Sequence, residues 1–330
     1  MVVQLRQAPL LDRERDRALF VAPERFDRAL WAAQEGLNTL VLGERGQGKT
    51  SVLHQLELAL RRGQPERRLS FVDVAAARSL ATALGLLVSA AGDALGQLVS
   101  FAPPLPQPNE SEEERAVRAC MQQLAALEPC TFLIDNVHPN EVAFPLFGVL
   151  RDRLWETPHQ WVMSGETLDR RWLLRPPADA FWEQVIELQY TVESARTLLE
   201  RRLQDRPPWI APIVDSVGTN PRRLLAAALE ASRDHDQAAS IVAAWRDWHG
   251  RLASLDRRSS ALIAELSGSR PVSASDPDLL SSLGWARTTL IKTLAQLESD
   301  GLVESWNEPG GTGRPRRLFT TTEPGKTRRG

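Results

Sequence analysis

Lysine is nearly missing from this chain. Of 40 basic side chains only Lys49, Lys292 and Lys326 are lysine, and the rest are arginine. Cysteine is scarce too: Cys120 and Cys130 are the whole complement, too few for a disulfide framework and suited to a reducing compartment. A charge excess is also absent, since 40 basic and 42 acidic residues leave a formal net charge of −2. That balance excludes a globally basic protein, so any nucleic-acid surface must be a local patch. The N-terminus, MVVQLRQAPLLDRERDRALF, lacks the apolar core and small-residue cleavage site of a secretory signal. The stretch from Leu80 to Phe101 is long enough to span a bilayer. It is diluted by Ala, Gly and Ser and carries Asp93 near its middle, so it reads as a buried helix. These absences predict a cytoplasmic protein with no membrane segment. With 330 residues, 42% of them hydrophobic and 25% charged, two or three domains with real cores are expected.

What is there alternates. Short apolar runs at 38–43, 69–74, 130–135, 160–165 and 183–188 read as buried strands. Helical patterns fall between them at 26–36, after Thr50, from Leu80 onward and at 112–127, the last preceded by the Pro-rich, acidic loop PPLPQPNESEEE. This pattern predicts an α/β domain built on a parallel five-stranded sheet. From Val192 the texture changes: helices at 192–204, 208–217 and 221–232 follow with no strand between them, then a further one at 240–255. The organisation expected is a core over 1–190, a helical lid over 191–250 and a third domain over 251–330.

The sharpest signal is VLGERGQGKT, Val41 to Thr50. Gly43, Gly48, Lys49 and Thr50 fit the phosphate-loop pattern, between a predicted strand and a predicted helix as that motif requires. Its glycines let the backbone wrap an anion closely, so the N–H groups of Gly43, Glu44, Arg45, Gly46, Gln47, Gly48, Lys49, Thr50 and Ser51 and the helix start would face the phosphates of ATP. Lys49 would reach the β and γ phosphates, and the Thr50 hydroxyl would ligate Mg²⁺. A compact ammonium on a thin stem fits inside such a loop where a planar guanidinium does not. The scarcity of lysine elsewhere makes a chance match rarer still.

A Mg²⁺-side acid belongs at the end of another buried strand, and TFLIDN supplies Asp135 there; helix capping is the other use of such an acid. The next residue, Asn136, cannot act as a base, so the sequence supports binding better than fast hydrolysis. Ser164, ending QWVMS, would lie beside Asp135 and reach the γ-phosphate or the attacking water, unless it is a plain strand-end serine. Arg222 opens a helix in GTNPRRL, as a phosphate contact or as a solvated arginine.

With these pieces in order the chain resembles AAA+ ATPases of the initiator and origin-recognition type and the neighbouring STAND signalling ATPases. LVLGERGQGKTSVL matches Walker A, TFLIDN Walker B, WVMSGE sensor 1, FWEQVIELQYTVESARTLLERRL the approach to the lid and GTNPRRLLAAALEA sensor 2. The resemblance covers nearly the whole chain. It implies a five-stranded core with a helical lid and ATP between them. Lys49 and Thr50 would hold phosphate and Mg²⁺, Asp135 would orient the metal, and Ser164 and Arg222 would be sensors 1 and 2. It also implies a site completed by a second subunit, hence a homo-oligomer. Two departures stand out: Asn136 replaces the usual catalytic glutamate, and LFVAPERF stands where such proteins often have Gly-Arg-Glu near the adenine. Arg170, Arg171 and Arg175 follow the fourth strand where an arginine finger would lie, and the sequence does not separate them.

The C-terminal segment reads as helix (259–267), helix (276–284), turn at Gly284, helix (286–301), then two strands around NEPGGTGRPR. It looks like a winged helix-turn-helix, in which the second helix enters the major groove of double-stranded DNA and the wing meets the backbone. Arg287, Thr288, Thr289 and Lys292 are the polar positions of the candidate recognition helix, and Arg314, Arg316 and Arg317 lie on the wing. From Gly310 on, six basic residues, including Lys326, Arg328 and Arg329, face one acid, Glu323. Such a patch attracts phosphate regardless of base sequence. A winged helix used for a protein partner is the competing reading. Three function classes follow: a DNA-associated ATPase of initiation, transposition or DNA maintenance; a STAND-like signalling switch; and an interaction module that holds ATP with little turnover.

Overall fold

Alternating apolar strands and amphipathic helices build an α/β layer structure in the first part of the chain. The computed structural model describes residues 5–11, 14–96, 104–203, 206–233, 238–268, 271–308 and 316–324. Two compact units emerge, Ala8–Gln189, and Tyr190–Gly330 with Met1–Gln7.

In the first unit the order is α1 (Glu14–Leu19), α2 (Phe26–Gln34), β1 (Thr39–Gly43), α3 (Lys49–Gly63), β2 (Leu69–Asp73), α4 (Leu80–Leu95), α5 (Glu112–Ala126), β3 (Thr131–Asp135), α6 (Arg151–Trp155), β4 (Gln160–Glu166), α7 (Arg170–Leu173) and β5 (Gln184–Glu187). The strands form one parallel sheet in the order β2-β3-β4-β1-β5. The expected parallel five-stranded sheet is present, with all five strands in place. Parallel strands covered by helices on both faces read as continuous apolar runs, and β1 and β3 are buried at every position.

Strand alternation sorts the side chains into two layers. On one face Val41, Leu133, Val162 and Ile186 pack with Val52, Leu53, Leu56 and Leu60 of α3. On the other, Leu40, Leu42, Phe132, Ile134, Trp161 and Met163 pack with Leu84, Leu87 and Val88 of α4 and Leu124 of α5. Each such buried side chain contributes about 1.5–3 kcal/mol relative to exposure. α3, which follows the glycine-rich loop, therefore covers one defined face, and the side chains on that face at the strand ends lie on the side of the loop.

The segment expected as one helix over 80–101 ends at Gly96, whose φ of 65° is the left-handed cap that closes α4. Among the described residues no helix is long and apolar enough to cross a membrane. The loop before α5 is anchored as well as exposed. Ser111 and Glu114 form a capping box, and Arg118 reaches back to Glu110 at 2.7 Å. Hydrogen bonding with Arg118 holds the Glu110 carboxyl down to about 2. Cys120 and Cys130 are free and buried, and burial pushes the Cys130 thiol up to about 11.

In the second unit come α8 (Val192–Arg202), α9 (Ile210–Val217), α10 (Pro221–Arg233) and α11 (Ala238–Ala253). They are followed by α12 (Arg257–Gly268), β6 (Val272–Ser273), α13 (Pro277–Leu283), α14 (Arg287–Ser299), β7 (Val303–Glu308) and β8 (Arg316–Thr321). The last three strands form an antiparallel sheet in the order β6-β8-β7. Leu290, Leu294 and Leu297 of α14 are fully buried, while Leu283 is half-buried. The two-residue β6 was not readable from pattern: a strand that short carries no alternation.

Candidate functional site

β1 runs straight into the phosphate loop and α3 leaves it. Gly46 and Gly48 have φ of 87° and 78°, a region that a side chain disfavours, and so the loop can turn back on itself. Gln47 closes the turn from inside, accepting the Glu44 N–H on its Oε1 at 2.9 Å. Lys49 Nζ donates to the Gly43 carbonyl at 2.9 Å and the Glu44 carbonyl at 3.1 Å, so the ammonium is already gathered into the loop. Arg45 lies 3.9 Å from Glu166 at the end of β4. The Ser51 hydroxyl accepts the Leu10 N–H at 2.9 Å, a tether of the N-terminal segment that the sequence did not announce.

Opposite the loop stands Asp135, 2% exposed. Thr50 donates its hydroxyl to Asp135 Oδ2 at 2.6 Å, and Ser164 donates its own to Oδ1. Register explains the meeting. Phe132 pairs with Trp161 and Ile134 with Met163, so the next residues along β3 and β4 are Asp135 and Ser164, side by side. Both are odd-numbered steps from Phe132 and Trp161, which places them on the α3 face where Thr50 lies. Thr50, Asp135 and Ser164 thus share one hydrogen-bonded line.

The donors offered are a hydroxyl and a carboxylate, hard oxygen ligands that fit Mg²⁺. Among the described residues no group of three or more His, Cys, Asp or Glu is arranged to hold a metal. A cation here would therefore take its other ligands from phosphate and water, as Mg²⁺ does.

Asn136 departs from that line. Its φ is 58°, left-handed, and its Nδ2 donates to Asp73 Oδ1 at 3.1 Å, at the end of β2. Asp73 also accepts the Ala75 N–H at 3.0 Å. Beside it Arg78 approaches His138 Nε2 at 2.9 Å. Asp73, Arg78 and His138 were not singled out from sequence, although Asp73 carries the same signal as Asp135, an acid ending a buried apolar run.

The three arginines after β4 are differently engaged. Arg170 pairs with Glu187 at 3.3 Å, Arg171 lies over the Trp172 ring and Arg175 over Phe144. Arg222 is exposed at the start of α10, in the second unit, where Asn220 accepts its backbone N–H at 3.1 Å.

On α14, Arg287, Thr288 and Lys292 are exposed and Thr289 is half-buried, with Thr288 and Lys292 opposite the leucine stripe. Arg316 is exposed at the start of β8. Arg317 is exposed too but paired, donating to Glu298 Oε2 at 2.6 Å and to Ser305 Oγ at 2.8 Å. Arg314 and the basic residues Lys326, Arg328 and Arg329 lie outside the described residues.

No protein-family model and no curated protein matches the chain. Among solved structures it is similar to the Orc1 protein of Aeropyrum pernix in complex with DNA, at 18% identity over 94% of this chain and 93% of that one, with a TM-score of 0.49. Cdc6p from Pyrobaculum aerophilum is 17% identical over 95% and 94%, with a TM-score of 0.46. Domain III of the Thermotoga maritima replication initiation protein DnaA is 15% identical over 77% of this chain and 96% of that one, with a TM-score of 0.42. At such values the function of this chain rests on its own residues.

Proposed function

We propose that this chain is an ATP-controlled switch of the AAA+ initiator type that engages double-stranded DNA through its C-terminal segment and self-associates when nucleotide is bound. The observation that carries the reading is the line Lys49, Thr50, Asp135 and Ser164 at the strand ends. On the same chain lies a helix–helix–hairpin segment with Arg287 and Lys292 exposed. Lys49 and the loop N–H groups hold the triphosphate, Thr50 and Asp135 hold Mg²⁺, Ser164 senses the γ-phosphate, and Arg222 of the helical lid over 191–250 is the second sensor. Bound Mg²⁺ would supply charge neutralisation of the phosphates. The segment over 251–330 acts as a winged helix: α14 enters the major groove, and Arg316, with Arg314, meets the backbone.

ATP binding, duplex binding and sedimentation of wild type and Lys49→Ala test the coupling together. The reading requires that the variant lose ATP binding and, with it, the effect of ATP on DNA affinity and on oligomer size. Unchanged DNA affinity and size in the variant with ATP present would sink the switch. A second reading, an ATP-holding module whose winged helix takes a protein partner, is favoured by the pairing of Arg317 with Glu298, which offsets a wing charge. Failure of duplex DNA to bind at moderate salt would select it.

A further inference from the structure

Position 136 carries an amide where the chemistry of hydrolysis wants a carboxylate, yet a carboxylate is within hydrogen-bonding distance of that amide. Asp73 ends β2 as Asp135 ends β3, and the two are direct partners in register. Partners in register project to the same face of a sheet. On β2 that face is marked independently: Leu69 and Phe71 belong to the layer under α3, whereas Val72 and Val74 belong to the opposite one. The His54 ring, one turn along α3 from Thr50, stacks on Phe71 with centroids 4.1 Å apart. Asp73, two residues beyond Phe71 toward the strand end, therefore lies on the side of the phosphate loop.

Its anchoring is specific. A carboxylate only accepts, so Asn136 must turn its NH₂ toward Asp73. Oδ1 of Asp73 receives that amide at 3.1 Å and the Ala75 N–H at 3.0 Å. Asp73 is exposed, and no other hydrogen bond or ion pair engages it among the described residues. Oδ2 is thus available to a water molecule. A glutamate at 136 would be one methylene longer than the asparagine, which brings its carboxylate into the zone that Asp73 already fills.

We propose that Asp73 is the water-activating carboxylate of this site, held in place by the Asn136 amide, so that two residues on neighbouring strands share the role of one glutamate. The assignment rests on the nucleotide-binding reading above. In the step it serves, a water oxygen forms a bond to the γ-phosphorus of ATP, and the bond from that phosphorus to the bridging oxygen breaks with its electron pair leaving on ADP. Asp73 Oδ2 takes the water proton and later releases it to solvent.

Asp73→Asn in the full chain is the discriminating variant. Its amide oxygen still accepts from Asn136 and Ala75, so the local geometry is kept while the basicity is removed. Three quantities are measured with and without duplex DNA: binding of the β,γ-imido analogue of ATP with Mg²⁺, single-turnover hydrolysis, and capture of Mg·ADP by aluminium fluoride. The variant is expected to bind the analogue like wild type, to hydrolyse about a hundredfold more slowly, and to lose the aluminium fluoride complex. Hydrolysis within about twofold of wild type, or an undiminished fluoride complex, would overturn the assignment. So would a wild-type protein that binds the analogue but neither hydrolyses nor forms the complex. Wild-type protein that fails to bind the analogue at all would remove the nucleotide reading itself, and the assignment with it.

Discussion

Asp135 receives the Thr50 hydroxyl at 2.6 Å, so the first turn of α3 and the last residue of β3 are joined before any ligand arrives. Thr50 and Asp135 would hold a Mg²⁺ bound here, which would supply the charge that the carboxylate answers. Asp135→Asn keeps the shape and removes the charge. ATP affinity in Mg²⁺ should fall at least about tenfold, the loss of one charge-assisted partner, while affinity in EDTA changes little. Calorimetry in the two buffers decides it; equal losses in both would mean that Asp135 only braces Thr50.

Lys49→Ala removes a cation that the loop holds between the Gly43 and Glu44 carbonyls. Losing hydrogen bonds to a charged group costs about 1.5–3 kcal/mol, or roughly ten- to a hundredfold in ATP affinity. The rise in melting temperature that ATP gives the wild type should shrink in the variant at the same ATP concentration, since stabilisation follows ligand binding to the folded state. The melting temperature without ATP should stay near that of the wild type.

The basic residues of the C-terminal segment should divide into two kinds. Arg287→Ala and Lys292→Ala change exposed cations of α14 and should each weaken duplex binding and lower the salt slope by about 1. Arg317→Ala breaks the link from β8 to Glu298 on α14 and should act on the fold, lowering the thermal stability of the segment more than the salt slope. Hydrogen bonds from Ser305 and Arg317 hold the Glu298 carboxyl below the usual range. Fluorescence anisotropy across a salt series separates the two kinds.

His159 is buried, and burial holds its ring below the ordinary histidine range despite a hydrogen bond to Leu124 that works the other way. The Cys130 N–H donates to Nδ1 at 3.2 Å, so Nε2 carries the proton that it gives to the Leu124 carbonyl at 2.7 Å. The neutral ring is the one that fits. The unfolded chain takes up a proton near pH 6.5 before the folded one does, so stability is full above that pH and falls as pH drops below it. His159→Gln should flatten the dependence between about pH 7 and 5. Chemical denaturation at those pH values measures it.

Much of the core was legible because burial on both faces writes a parallel strand as an unbroken apolar run. TLVLG, TFLID and QWVMS announced themselves that way, and the glycines with Lys49 fixed the loop. Other features depend on contacts between distant segments. The turns over Pro139–Val149 wind as two π-helical pieces, with no periodicity that marks them. Asp73 was passed over because its partner Asn136 lies far along the chain and meets it only through the pairing of β2 with β3. The pairing of Arg317 with Glu298 was equally hidden, since sequence counts a charge without showing what it meets.

The stacked pair Phe132 and Trp161, 4.7 Å apart, sits three residues behind Asp135 and Ser164 on the same two strands. Phe147 meets the same indole edge-on and is itself packed against Phe181 and Trp182. Aromatic rings locked at fixed angles in an asymmetric environment produce near-ultraviolet circular dichroism. The alignment of the strand ends that carry Asp135 and Ser164 is thereby coupled to an intrinsic chromophore. Any ligand or substitution that slides β3 against β4 changes an optical signal that needs no added probe.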